Sequence, residues 1–382
     1  MVSRATLDWV QLLRGVAAVL VVLAHARSSL LDTPAIGLAD ALLVPGALGV
    51  DLFFIISGFI MCYTSTGNDG SGREVLRFIV RRFARVWPVY AAVTLLSVWV
   101  LYNGYLNVPD NRRTLWHTLA MLPAQPQQAP YFGLTSPVAW TLAFEMYFYL
   151  VFATCMLFRR WRWLALGAWA GLMALALPAW RDTALLDVSR DLGFKAGYLN
   201  LMTSPFILEF AAGAAIGWLY LQPWARIDHR QLARHLLGLA VGFALWVIYS
   251  NAVYQHGPAG YGWPLLLMVL VLALVSKTIE IRVPPLFMWL GSISYSLYLT
   301  HLLSLKLGRD ALIASDLLPL TRTWSFVLAS TALALPLASL SHYLLEQKLA
   351  NWVRDRLMRL LYLTPPAASA SAAPTVSRRA MR

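Results

Sequence analysis

The sequence predicts an all-α, polytopic integral membrane protein with about ten transmembrane helices. Composition, the spacing of apolar runs and the placement of basic residues support this prediction. Hydrophobic residues make up 59% of the 382 residues, charged residues make up 13%, and the mean hydropathy is +0.60. A soluble domain carries about 25% charged residues. A soluble core of this size could not enclose so much apolar side chain, so lipid must surround much of it.

Ten apolar runs are long enough to cross about 30 Å of hydrocarbon at about 1.5 Å per residue. We place them at 7–27, 43–63, 86–104, 137–158, 161–179, 203–221, 235–253, 261–277, 286–306 and 324–344. The first run contains Arg14 and is followed by His25, so we expect a retained helix rather than a cleaved signal.

The distribution of Lys and Arg predicts that both termini are cytoplasmic, because basic residues resist translocation. With this orientation, 21 of the 31 basic residues lie in cytoplasmic segments and 9 lie outside, with Arg14 inside the first helix. Two long outer connections, at about 105–136 and 180–202, predict a lid or a binding surface on the outer side.

The chain divides into a membrane domain, residues 1–350, and a cytoplasmic basic segment with a disordered tail, residues 351–382. The tail from Thr364 is rich in Ala, Pro and Ser, which is typical of disorder. Membrane topology accounts for the net charge of +13, and no nucleic-acid-binding motif is present. We therefore expect the lipid bilayer, and not nucleic acid, as a partner.

The cysteines and most histidines predict no metal site. Cys62 and Cys155 lie within apolar runs. Four histidines lie in predicted loops or at helix ends without metal-ligand spacing, and we interpret them as surface residues: His117, His229, His235 and His256. We expect no permanently bound cofactor.

Titratable side chains within apolar runs are functional candidates, because they are costly in hydrocarbon. They are Arg14, His25, Asp51, Glu145, Glu209, His301 and His342. Five of these fall in the outer half of their helices, and we predict that they surround a polar chamber open to the outside: His25, Asp51, Glu145, Glu209 and His301. The alternative is a set of separate structural ion pairs.

Arg14 and His25 share one face of the first helix. Eleven residues at about 100° each leave them about 20° apart, and about 16 Å separates them along the axis. This face would connect the two halves of the membrane. The alternative is that Arg14 forms a buried ion pair and that His25 reaches the interface.

Arg82 and Arg85 are three residues apart, before Trp87-Pro88, which we expect to open the third helix. Two arginines on one helical face can bind a phosphate through paired N–H donors. The alternative is that they only set the membrane topology.

Two further spacings concern the packing of helices. Ser294 and His301 are seven residues apart and share a helix face. Gly213 and Gly217 follow Glu209 at intervals of four, and we interpret these glycines as packing positions that let a neighbouring helix approach closely.

Five segments of the chain stand out together: LDWVQLLRG at 7–15 with His25, GVDLFFIISGF at 49–59, RFARVWP at 82–88, WTLAFEMYFY at 140–149 and GSISYSLYLTH at 291–301. In this order they resemble the membrane-bound acyltransferase family 3. The resemblance extends over about residues 5–350. The second and fourth segments are most similar to the exopolysaccharide acetyltransferase branch.

The resemblance implies a multi-pass enzyme of the bacterial inner membrane. Such enzymes take an acyl group, often acetyl, from cytoplasmic acyl-CoA and esterify a hydroxyl of an extracytoplasmic carbohydrate. Exopolysaccharide or its lipid-linked precursor is the expected acceptor. The Arg-x10-His motif of the family falls on Arg14 and His25, and its Arg-x-x-Arg motif falls on Arg82 and Arg85.

The expected site residues form three groups. The catalytic group is His25, Glu145 and Asp51; the acyl-CoA-binding group is Arg14, Arg82 and Arg85; and the acceptor-binding group is His301, Ser294 and Glu209. His25 would act as general base or carry the acyl group briefly. The chain reads Glu346-Gln-Lys-Leu349 where the family has Glu-Lys-Pro or similar, so we assign no role to Glu346.

Two other classes of protein fit part of the pattern. A transporter or flippase for a sugar-containing envelope precursor would also carry titratable groups in its helices, but the sequence contains no internal repeat of the kind that transporters often show. A non-catalytic scaffold of an envelope complex gives no reason for the shared face of Arg14 and His25. The sequence does not indicate an oligomeric state.

Overall fold

The computed structural model describes residues 7–101, 104–125, 127–181, 184–250 and 255–363. Within these ranges the chain is helical and contains no strand. Nine helices of the described chain are long and apolar enough to cross a membrane. The tenth predicted span, Phe206–Leu221, is apolar but has only 16 residues. The prediction of an all-α polytopic membrane protein is confirmed, and the location of the termini stays a prediction.

Ten helices correspond to the predicted spans. They are α1 (Asp8–Ala26), α2 (Leu48–Thr64), α3 (Gly72–Leu101), α4 (Ala139–Met156), α5 (Arg159–Trp180), α6 (Phe206–Leu221), α7 (Arg230–Tyr249), α8 (Trp263–Val275), α9 (Pro285–Ala314) and α10 (Trp324–Leu360). The short helix Ile36–Leu43 precedes α2, and a π-helical turn, Pro258–Gly262, precedes α8.

Three helices extend at least eight residues beyond their predicted ends, and one of them is α9, which ends at Ala314 rather than at 306. The helix α3 begins at Gly72 rather than near residue 86, so Arg82 and Arg85 lie within it and Pro88 is an interior residue. The basic stretch is helical because it is amphipathic: Phe78 is buried in the core, whereas Arg85 is exposed.

The last helix was predicted to end near residue 344. It continues to Leu360 through a π-helical segment, His342–Leu349. The tail predicted to be disordered from Thr364 lies outside the described residues.

The predicted outer connection 105–136 folds against α3. It contains the helix Pro109–Leu119. The indole of Trp87 donates to the Leu119 carbonyl at 2.9 Å, and the Tyr90 hydroxyl donates to the Thr118 carbonyl at 2.6 Å. These bonds anchor the connection beside the end of the bundle where His25 lies.

The helices α2 and α6 are in close contact through glycines. A Cβ atom at Gly58 would lie 2.1 Å from the Phe210 carbonyl oxygen, and one at Gly213 would lie 2.1 Å from the Ile55 oxygen. No larger residue fits at this separation. The packing interpretation of Gly213 is confirmed.

The helices α1 and α9 cross equally closely. A Cβ atom at Gly291 would lie 2.3 Å from the Gln11 carbonyl oxygen, and one at Gly15 would lie 2.9 Å from the Gly291 nitrogen. This crossing places the face that carries Arg14 and His25 against the helix that carries Ser294 and His301.

Candidate active site

Three cavities lie in a row within the bundle. The histidine cavity, of about 530 Å³, is lined by His25, His256 and Tyr298 among others. The central cavity, of about 80 Å³, is lined by Arg14 and Glu145 among others.

The arginine cavity, of about 680 Å³, is lined by Arg82, Arg85 and Glu346 among others. Tyr298 lines both the histidine and the central cavity, and Arg82 and Arg85 line both the central and the arginine cavity. These shared walls show that the three cavities are adjacent along the bundle, and we refer to the row as the passage.

His25 lies near the end of α1, in the wall of the histidine cavity. Its Nδ1 is 2.9 Å from the Val21 carbonyl oxygen. A carbonyl only accepts, so we assign the hydrogen to Nδ1, which leaves a lone pair on Nε2 of the neutral ring. The imidazole of His301 contacts the ring edge-on, with 4.9 Å between centroids.

His301 and Ser294 do not share one cavity. His301 is fully buried and lines none of the three cavities. Its Nδ1 lies 2.8 Å from the Tyr298 carbonyl, and its Nε2 has no partner among the residues that the structure describes. Ser294 donates to the Gly291 carbonyl at 2.8 Å and lines the central cavity. His301 therefore packs against the His25 ring but does not line the histidine cavity.

Asp51 is fully buried and does not contact His25 by a hydrogen bond. Its Oδ2 lies 2.6 Å from Nδ1 of His256, and its Oδ1 accepts from the Gly257 N–H at 2.6 Å. Glu209, also fully buried, lies beside Asp51 and against Gly262. Neither carboxyl group lines the three cavities.

Glu145 lies in the central cavity rather than beside His25. Its Oε1 accepts from the Ser57 hydroxyl at 3.1 Å and from the Tyr149 hydroxyl. Arg14 lines the same cavity. The five titratable groups therefore do not surround one of these cavities: His25 and Glu145 line different cavities, and the other three line none of them. Depth along a helix does not determine which neighbour a side chain faces.

The three predicted donor-binding arginines converge at the central cavity. Arg14 donates to the Gln11 amide oxygen at 3.1 Å, and Arg82 donates to the Thr64 hydroxyl at 2.8 Å. The Arg82 guanidinium also lies 5.5 Å from the centre of the Tyr149 ring. Arg85 is exposed to the adjoining arginine cavity.

Aromatic side chains form much of the wall of the histidine cavity. Trp140 and Tyr131 are 5.3 Å apart between ring centroids, and their planes are nearly perpendicular. Tyr131 lies in the connection outside the helices. Burial, and then the carboxylate of Asp51, raise the pKa of the Tyr131 hydroxyl, so it remains a hydrogen-bond donor.

Glu346, to which we assigned no role, is a component of the passage. Its Oε1 accepts from the Ser296 N–H at 3.0 Å and from the Ser296 hydroxyl at 2.5 Å, and it lies 3.3 Å from Nδ1 of His342. Glu346 also interacts electrostatically with Arg85 and Arg14. The spacing of His342 and Glu346, four residues apart on one helix, was the available signal.

His256 was also missed, because we interpreted it as a surface residue. Its side chain is 15% exposed and lines the histidine cavity. The available signal was its position in the break between two apolar runs, directly before Gly257-Pro258.

Fold and site together define a polytopic membrane protein with a polar, histidine- and arginine-lined passage through its helices. The family model for an acyltransferase domain, acyltransferase family 3, matches residues 7–343. The chain therefore belongs to this family of membrane-bound acyltransferases, and it is an O-acyltransferase.

The chain is similar to several named proteins. It is 32% identical over 318 residues to the exopolysaccharide production protein ExoZ of Rhizobium meliloti, covering 81% of this chain and 92% of the relative. It is 25% identical over 345 residues to the acyltransferase MdmB of Streptomyces mycarofaciens, covering 85% and 84%.

A more distant relative is the peptidoglycan O-acetyltransferase OatA of Listeria monocytogenes. It is 23% identical over 293 residues, which cover 67% of this chain and 44% of OatA. No solved structure matches the chain significantly.

Proposed function

We propose that this enzyme transfers an acetyl group from cytoplasmic acetyl-CoA to a hydroxyl of an extracytoplasmic carbohydrate, an exopolysaccharide or its lipid-linked precursor. The observation that carries the proposal is the row of cavities that joins three arginines to His25. The names of ExoZ and OatA, which refer to exopolysaccharide and to peptidoglycan O-acetylation, support a polysaccharide acceptor.

The arginine cavity suits the donor. Guanidinium groups bind phosphates through paired, charge-assisted hydrogen bonds, so Arg82 and Arg85 hold the phosphates of acetyl-CoA. The pantetheine arm then extends into the central cavity past Arg14. That cavity, of about 80 Å³, is much smaller than the two cavities beside it, of about 680 and 530 Å³, which argues against the passage of whole sugars and so against the transporter alternative.

The histidine cavity suits the acceptor, because aromatic walls with a few polar groups are typical of small-molecule sites. The acceptor oxygen attacks the thioester carbonyl carbon, and its proton passes to Nε2 of His25, because imidazole is the side chain that most often serves as a general base. The C–S bond then breaks, and the departing thiolate takes the proton. The products are the ester and CoA.

Replacing His25 by Ala should abolish acetyl transfer without preventing membrane insertion, since it removes the ring nitrogen that takes the hydroxyl proton. We would measure transfer of label from [14C]acetyl-CoA to de-O-acetylated exopolysaccharide with the purified protein in proteoliposomes. His235→Ala is the matched control, because His235 is exposed on α7.

Retention of label transfer by His25→Ala would contradict the role of His25. Absence of transfer by the unmodified protein would contradict the proposed donor or acceptor. In cells, deletion of the gene should remove O-acetyl signals from the NMR spectrum of the exopolysaccharide.

A further inference from the structure

A second histidine faces the cavity that His25 lines. His256 lies in the loop before α8, and its Nδ1 is anchored to Asp51 at 2.6 Å. Within the described chain, no hydrogen bond reaches its Nε2. The two ring nitrogens point in different directions from the imidazole, so anchoring Nδ1 leaves Nε2 available to a ligand in the histidine cavity.

The protein holds the His256 ring firmly. The rings of Trp140, Tyr261 and Phe206 surround it, with centroid distances of 5.7, 6.0 and 6.2 Å. The next residue, Gly257, has a φ of +95°, which favours glycine. This conformation lets its N–H donate to the other oxygen of Asp51. A polar group fixed before substrate binds is the arrangement that stabilises a transition state best.

The charges on Asp51 and His256 determine whether Nε2 of His256 carries a hydrogen. A fully buried carboxylate such as Asp51 is costly unless a cation compensates it. Glu209, also fully buried, lies beside Asp51. Among the described residues, His256 is the side chain in contact with Asp51 that can become a cation.

His25 has the opposite surroundings. Its Nδ1 contacts the neutral Val21 carbonyl, and within the described ranges no carboxylate hydrogen-bonds to it. The histidine cavity is therefore lined by one histidine that has a carboxylate partner and by one that has only a backbone carbonyl partner within the described ranges.

We propose that His256, held as an imidazolium by Asp51, is a catalytic residue that donates its Nε2–H to the carbonyl oxygen of the acyl group. As the acceptor oxygen adds to the carbonyl carbon, the hydroxyl proton passes to His25 and an electron pair moves onto the carbonyl oxygen. His256 stabilises that negative charge. Collapse of the adduct expels the thiolate, and His256 keeps its proton throughout. This inference rests on the proposed function.

The test is the single-turnover rate of acetyl transfer, with the full-length protein in proteoliposomes and in excess over [14C]acetyl-CoA. De-O-acetylated exopolysaccharide serves as the acceptor. We expect His256→Ala to slow transfer by about 100- to 1,000-fold, the usual effect of losing one oxyanion donor. The Kd for acetyl-CoA should not change, because the donor phosphates bind elsewhere.

Two further variants test the inference if His256→Ala does not fold. The amide of His256→Asn can still donate to Asp51 but provides no donor at Nε2, and Asp51→Asn removes the charge at nearly constant volume. Both should slow transfer as His256→Ala does, with elution on size exclusion unchanged. His235→Ala should transfer at the unmodified rate.

Transfer at the unmodified rate by a folded His256→Asn variant would overturn the inference, as would a rate that recovers fully at saturating acceptor. In both cases the unmodified protein would remain active and His25→Ala inactive, so the proposed function would stand. Failure of the unmodified protein to use acetyl-CoA would instead overturn both.

Discussion

Arg82 and Arg85 form the wall shared by the central and arginine cavities. Replacing either by Ala should raise the KM for acetyl-CoA about 10- to 100-fold, because a hydrogen bond to a charged group contributes about 1.5–3 kcal/mol. Replacement of either arginine by Lys should leave the KM for acetyl-CoA high, since lysine lacks the planar set of paired N–H donors. Initial rates of label transfer at varied acetyl-CoA provide the measurement.

The matched control is Arg282→Ala, because Arg282 is an exposed residue that pairs with Glu280 at the surface. Its KM should equal that of the unmodified protein. If the Arg85→Ala variant also retained the unmodified KM, the arginines would serve topology alone, which is the alternative that the sequence left open.

Sequence spacing predicted the local relations between residues and missed the distant ones. The eleven-residue interval placed Arg14 and His25 on one face, and the structure places them in consecutive cavities. The partner of His256 is 205 residues away. A lone histidine beside a glycine and a proline has no sequence feature that identifies such a partner.

At the scale of elements, the bundle depends on helix pairs whose backbones nearly touch. Gly213→Ala should destabilise the protein by about 1–3 kcal/mol, as overpacking usually does, because its Cβ would lie 2.1 Å from the Ile55 carbonyl oxygen. The thermal unfolding midpoint in detergent should fall accordingly.

Gly242→Ala on α7 is the control, since a Cβ there meets nothing within 4 Å. Alanine is the better helix former by about 1 kcal/mol, so that midpoint should stay or rise. Equal midpoints for the two variants would show that α2 and α6 can separate without cost.

The positions of the helices were predictable, because each hydrophobic run is about long enough to cross the membrane. The residues at which the helices end were harder to predict. The arginine-rich stretch before Trp87 has the composition of a loop, yet the helix begins at Gly72, and Arg82 and Arg85 line the arginine cavity. The same reason applies to α10, where Glu346 faces polar partners inside the bundle. Hydropathy does not distinguish a polar residue in a cavity from one in a loop.

For the whole molecule, the orientation in the membrane remains to be measured. The protein has two buried cysteines, Cys62 and Cys155, which can be replaced by Ala. Single cysteines are then introduced as Asp110→Cys, in the predicted outer connection, and Asp228→Cys, in a predicted cytoplasmic one. In intact spheroplasts, a membrane-impermeant maleimide should label only the first.

After permeabilisation both cysteines should react, which controls for accessibility. If only the Asp228→Cys variant were labelled in intact spheroplasts, the topology would be the reverse of the predicted one. The proposed direction of acyl transfer would then be reversed as well.

The narrow central cavity has a consequence for the cell that makes this protein. A passage lined with charged groups from one membrane face to the other could conduct protons and discharge the energised membrane. The cavity provides only about 80 Å³, and the Tyr298 and Thr141 hydroxyls, 2.7 Å apart, hydrogen-bond at its boundary with the histidine cavity. The two larger cavities are therefore separated by a small cavity and a hydrogen-bonded pair of hydroxyls, so donor and acceptor can meet without a wide open pore between the two sides.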